Sequence, residues 1–174
     1  MARNIEIKAR LSDPQTIEAR LQTLSARFES QFNQEDSFFR VPWGRLKLRV
    51  QDQQAAELIY YLRPDRQGPK TSRYWRWSLK NGAAWSTWLK RILGLRGKVR
   101  KQRSLWMLGQ TRIHLDQVSD LGYFIEFEVV LDPEQSLESG QTIADRLLRD
   151  LQVNPQDLCS QAYVDLILQK GRSI

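Results

Sequence analysis

The chain has 174 residues, 41% of them hydrophobic and 10% aromatic, which suits one folded domain over residues 1–174 and excludes a disordered chain. Its net charge of +7 calls for an anionic partner without naming one. A single cysteine excludes an internal disulfide and a thiolate metal site, while a charged start and the lack of any long apolar run lead us to expect a soluble cytoplasmic protein with no membrane partner.

Residues 3–11 alternate, with Ile5, Ile7 and Ala9 on one side and Asn4, Glu6, Lys8 and Arg10 on the other, which is a strand period. Ser12-Asp13-Pro14 opens a helix by capping residue and first-turn proline. Ile17, Leu21 and Leu24 carry it at helical spacing to about Phe28. Residues 31–41 and 45–50 read as a hairpin about Pro42-Trp43-Gly44. Residues 57–63 and 72–79 are further strands, separated by the breaker-rich stretch from Pro64 to Pro69. Residues 84–93 form a helix with Trp85, Trp88, Leu89, Ile92 and Leu93 on one stripe. Strands at 98–108, 111–118 and 123–131 follow, then amphipathic helices at 142–151 and 160–168. About eight strands joined mostly by short turns give an antiparallel α+β fold.

Several strands place like charges two residues apart, hence on one face. Lys47 and Arg49 flank Leu48, Lys101 and Arg103 flank Gln102, and Glu126 and Glu128 flank Phe127. Glu6 and Lys8 flank Ile7; Arg112, His114 and Asp116 alternate with Ile113 and Leu115; Glu57 and Arg63 share a face with Ile59 and Tyr61. Any one ladder is explained by a strand with one face in water. The set is not, because like charges repeated on one face repel without a counter-charge. If the helices cover the apolar faces, the charged faces converge inside a closed sheet, and an eight-stranded barrel has room for one small ligand. Lys and Arg suit phosphate oxygens, and paired carboxylates suit Mg2+ or Mn2+. Asp116 would be a further ligand or an orienting group, and His114 a polar wall residue.

These residues resemble the CYTH superfamily, the triphosphate tunnel metalloenzymes that include class IV adenylyl cyclases and thiamine triphosphatases. The resemblance runs from Asn4-Ile5-Glu6-Ile7-Lys8 through Phe38-Phe39, Leu46-Lys47-Leu48-Arg49 and Lys101-Gln102-Arg103. It continues through His114-Leu115-Asp116 to Gly122-Tyr123-Phe124-Ile125-Glu126-Phe127-Glu128. It implies an antiparallel eight-stranded β-barrel with flanking α-helices, forming a tunnel. It also implies triphosphate binding by Lys8, Lys47, Arg49, Arg63, Lys101, Arg103 and Arg112, metal binding by Glu6, Glu126 and Glu128, and catalytic roles for Glu6, Lys8 and Asp116. Asn4 departs from the family's glutamate; an amide oxygen still coordinates but is neither charged nor a base.

The N-terminal spelling looks most like class IV adenylyl cyclases, which convert ATP to cyclic AMP and pyrophosphate. A triphosphatase acting on tripolyphosphate, a nucleoside triphosphate or thiamine triphosphate uses the same tunnel, and the sequence does not separate the two. A non-catalytic polyphosphate- or RNA-binding module is the third reading, drawn from Arg73-Tyr74-Trp75-Arg76-Trp77. We expect those aromatics instead to pack beneath the Trp85–Trp88 helix. Nucleic acid is thus not the expected partner; a nucleoside triphosphate or inorganic polyphosphate is, and a homodimer is left open.

Overall fold

The computed structural model describes residues 3–52, 55–62, 70–71 and 73–171. Its strands are β1 (Arg3–Leu11), β2 (Arg27–Phe39), β3 (Arg45–Gln51), β4 (Ala55–Leu62), β5 (Lys70–Thr71), β6 (Arg73–Leu79), β7 (Leu95–Leu108), β8 (Thr111–Val118) and β9 (Gly122–Leu131). The helices are α1 (Pro14–Thr23), α2 (Gly82–Leu93), α3 (Leu137–Asp150) and α4 (Tyr163–Lys170). All strand pairings are antiparallel, in the order β5-β1-β9-β8-β7-β2-β3-β4-β6. The two edges, β5 and β6, are separated in sequence by position 72 alone. One stretch of chain therefore pairs with β1 at its start and β4 beyond, and the sheet curls shut as an eight-stranded barrel.

Apolar residues point outward and are covered by helices. Ile5 and Ile7 of β1, Ile113 of β8 and Phe127 and Val129 of β9 pack with Ile17 and Leu21 of α1 and Ala144 and Leu147 of α3. The approach of α3 is close: a Cβ on Gly140 would lie 2.5 Å from Leu131 and 3.0 Å from Ile5, so any larger residue would force the Leu131 side chain to shift. A second cluster is the exception and lies on the inward face: Phe38, Val99 and Phe124, on the same strand faces as Asp36, Lys101 and Glu126, pack with Val164 and Leu166 of α4.

Two expectations fail. The first helix does not run to Phe28: it is capped by Asp13, ends at Thr23, and the chain reverses through Ser25 at φ 58°. Ser25 breaks the helical period, which frees Phe28 to enter β2 and pack edge-to-face on Trp106 at 5.2 Å. The aromatics of β6 do not pack beneath α2 either. Helix α2 turns Leu89 to the core against Phe39, Leu48 and Ala56, leaving Trp85, Trp88 and Ile92 exposed. Trp75 and Trp77 are also exposed. The helix has apolar residues around more of its circumference than the sheet can cover, so the smaller aliphatic side is buried.

Candidate active site

The charged faces point into the barrel around a cavity of about 370 Å³, within the range of small-molecule sites, about 300–1,000 Å³. One wall is built on β2 and β3. Register sets Asp36 opposite Arg49, and the Asp36 carboxylate accepts from Lys47 Nζ at 2.8 Å, Arg49 Nε at 3.0 Å and Gln34 Nε2 at 3.0 Å. Burial alone would raise the Asp36 carboxyl, but the Arg49 and Lys47 charges overrule it and hold it far below the carboxylate range. Burial and then the neighbouring Arg49 charge pull the Lys47 ammonium down to about 8.

This gives a pH prediction. Below about 8 Lys47 is charged and attracts a polyanion; above it the charge is lost. Tripolyphosphate affinity should fall as pH passes about 8, by roughly tenfold per unit at the steepest for one linked proton. Lys47→Arg, which stays charged, should remove that limb when affinity is followed by calorimetry against pH; an unchanged limb in the variant would assign it elsewhere.

The adjoining wall belongs to β7 and β8, with β7 paired to β2. Asp116 is fully buried and accepts from Lys101 Nζ at 2.9 Å, Arg103 Nε and Nη2 at 2.6 Å each, and the Tyr163 hydroxyl at 2.9 Å. Arg103 also donates to Glu126 Oε2 at 2.5 Å. Burial would raise Asp116, but Arg103 and Lys101 bring it to about 2. Burial and the Arg103 charge lower Lys101. His114 lines the wall with Nδ1 3.9 Å from Glu126 Oε2; burial, then Arg103, lower its pKa and keep it neutral.

The third wall is β1 with β9. Register sets Glu6 opposite Glu128 and Lys8 opposite Glu126. Lys8 Nζ donates to the Gln161 carbonyl and lies 4.3 Å from the Tyr163 ring centroid. Glu128 accepts from Asn4 Nδ2 at 2.6 Å and from Arg112 Nη1 at 3.3 Å. Lys8, Lys47, Arg49, Lys101, Arg103, Arg112, Glu6, Glu126 and Glu128 thus all reach one cavity, while Asp116 stands behind it. Arg63 lies outside the described residues. Sequence reasoning missed Asp36, Gln34 and Tyr163. For Asp36 and Gln34 a signal existed: Gln34, Asp36 and Phe38 alternate on β2, the strand between the two basic ladders.

The CYTH domain family matches residues 2–163. The chain belongs to the CYTH domain family. No curated protein matches its sequence. Among solved structures, the PH1012 protein of Pyrococcus horikoshii OT3 superposes with TM-score 0.84 at 23% identity, covering 94% of this chain and 98% of that one. A proposed adenylate cyclase of Vibrio parahaemolyticus gives 0.78 at 18%, covering 94% and 97%. HpAC1 of Hippeastrum, a proposed adenylyl cyclase described as having a dominant triphosphatase activity, gives 0.68 at 14%, covering 97% and 96%. At these identities the likenesses speak for the fold. No helix among the described residues is long and apolar enough to cross a membrane.

CYTH membership implies a divalent cation and a triphosphate substrate. The donor chemistry fits the cation: Glu6, Glu126 and Glu128 share a face of oxygen ligands suited to Mg2+ or Mn2+. The buried Asn4 Oδ1, with no hydrogen-bond partner among the described residues, adds a neutral oxygen on the same strand face. Those residues also show no trio of His, Cys, Asp or Glu already gathered about one point. Arg103 holds Glu126, and Asn4 and Arg112 hold Glu128.

Proposed function

We propose that this CYTH protein is a divalent-metal-dependent adenylyl cyclase of class IV type, converting ATP to cyclic AMP and pyrophosphate in its tunnel. One observation carries the reading: two basic pairs, Lys47 with Arg49 and Lys101 with Arg103, converge on one cavity from separate walls, each pair braced by a buried aspartate. Braced cations are positioned before the substrate arrives, which is the arrangement that lowers a charged transition state.

In this reading the ribose O3′ attacks the α-phosphorus. The O3′–Pα bond forms as the bond from Pα to the bridging oxygen breaks, and pyrophosphate leaves with that electron pair. The hydroxyl proton passes to the Glu6 carboxylate. Lys47, Arg49, Lys101, Arg103 and Arg112 hold the departing pyrophosphate, and Lys8 contacts phosphate beside the reacting centre. Asp116 acts through Lys101 and Arg103, as a positioning residue. Bound Mg2+ or Mn2+, held by Glu126 and Glu128 with Glu6, would supply Lewis-acid stabilisation of phosphate charge. Asn4 bears on the hydrolytic alternative: its amide donates to Glu128, and position 4 adds no second carboxylate beside Glu6 to activate water.

The second reading is a triphosphatase, favoured by the dominant activity described for HpAC1. The test is to incubate the protein with ATP or tripolyphosphate, with Mg2+ or Mn2+, and identify products. Cyclic AMP and pyrophosphate in equal amounts support the first reading; orthophosphate release supports the second. No turnover of either substrate contradicts both. Glu126→Gln should abolish metal-dependent turnover with the fold intact, because Asp116 still neutralises Arg103. Retained turnover at saturating Mg2+ would remove Glu126 from the metal's ligands.

A further inference from the structure

The barrel's outer face over β4, β6 and α2 is aromatic, exposed and basic. On α2, Trp85, Trp88 and Ile92 project at helical spacing, Trp88 at 54% and Ile92 at 57% exposure. Beside them Trp77 of β6 is 49% exposed. Trp77 stands in register with Leu58, and Leu58 and Leu79 pack under α2, so sheet and helix adjoin here. Farther along, Trp75 stacks on Tyr60 at 5.8 Å, and the Tyr60 hydroxyl donates to the carbonyl of Trp43, whose side chain is 78% exposed. Isolated exposed apolar residues need no explanation, but a contiguous patch of this kind marks an interaction surface.

Charge narrows the occupant. Not one Asp or Glu stands between Asp65 and Asp116, while Lys and Arg recur throughout that stretch. Lys80, Lys90 and Arg91 are exposed next to the patch. A symmetric contact with a second copy would press this acid-free surface against itself, and like charges would oppose it. An anionic partner is complementary. Nucleic acid would use the indole faces but gains nothing from Ile92 and Leu62, which are exposed beside them. A bilayer surface uses both: indoles settle at the headgroup level, aliphatic side chains enter the acyl boundary, and Lys and Arg meet anionic headgroups.

We propose that the β6–α2 face docks on an anionic lipid bilayer, holding the protein at a membrane surface without spanning it, in place of the expectation of no membrane partner, which rested only on the lack of a spanning segment. The tunnel lies on the other side of the sheet, so docking does not occlude the residues of the triphosphate site, and the proposal stands independently of the reaction assigned to it.

The test uses the full chain with vesicles of phosphatidylcholine alone or with about a third phosphatidylserine. The expected result is co-sedimentation with the anionic vesicles only, weakened by salt, with indole emission shifted to shorter wavelength. Trp88→Ser with Ile92→Ser should weaken binding at least tenfold, as should Lys90→Glu with Arg91→Glu, both with unchanged circular dichroism. Absence of vesicle binding overturns the proposal. So does single-stranded RNA binding that the Trp88 variant loses while vesicles are ignored. A dimer in sedimentation that the same variant converts to monomer would overturn it as well, by covering the face with a second copy.

Discussion

Asp116→Ala is expected to destabilise the protein by about 3–5 kcal/mol, the range for breaking a buried ion pair from one side. The carboxylate is fully buried, and the substitution leaves Lys101, Arg103 and the Tyr163 hydroxyl facing a hole. Glu126 still pairs with Arg103, but Lys101 is left without its nearest anion. If the cavity is a polyanion site, tripolyphosphate supplies the missing charge. It should therefore raise the stability of Asp116→Ala more than that of the wild type, through tighter binding to the folded state. Urea denaturation with and without tripolyphosphate measures both. Equal stabilisation of the two proteins would mean that Lys101 and Arg103 are structural only.

The second large effect falls on turnover. Arg49→Ala should cut kcat about 10²–10³-fold, the cost of removing one preorganised donor from a developing anion. The fold should survive, since Asp36 keeps Lys47 and Gln34. Arg49→Lys should recover only part of the loss, because an ammonium cannot reproduce the guanidinium fork that now spans both Asp36 oxygens. A loss confined to KM would make Arg49 a binding group indifferent to the transition state. Full recovery by lysine would make its geometry irrelevant.

The inward ladders were legible because strand alternation is rigid: once Ile5 and Ile7 face the helices, Asn4, Glu6 and Lys8 face the tunnel. The same rule placed Lys47, Arg49, Lys101, Arg103, Glu126 and Glu128. Asp36 escaped because it sits in the polar run from Asn33 to Ser37, where hydrophilic residues on both faces mask its spacing with Gln34 and Phe38. Its role depends on β2 lying between β3 and β7, a long-range pairing. Tyr163 escaped because its partner, Asp116, is 47 residues away in sequence. The orientation of α2 was misjudged for the opposite reason: its apolar stripe is broad enough to bury either way, and only the shape of the sheet beneath decides that Leu89 goes in and Trp88 stays out.

The ion pairs within the tunnel bear on how the site would work. Each basic pair is held by an aspartate that remains charged across the working pH range. Side-chain entropy is thereby lost at folding rather than at binding, so a polyanion would meet cations already in place. The glutamates differ in kind: Glu126 accepts from Arg103 and Glu128 from Arg112 and Asn4, and a bound phosphate would compete with the carboxylates for the two arginines. Substrate and cation would then favour each other's binding, since phosphate engages the arginines and leaves the carboxylates free for the metal.

A crystal structure of the protein with tripolyphosphate and Mn2+ addresses the central claim most directly. It should show the polyphosphate chain inside the barrel, contacted by Lys47 and Arg49 from one wall and Lys101 and Arg103 from another, with Mn2+ on Glu126 and Glu128. Phosphates bound only on the outer surface, with those four cations still paired to Asp36, Asp116 and Glu126 alone, would contradict it.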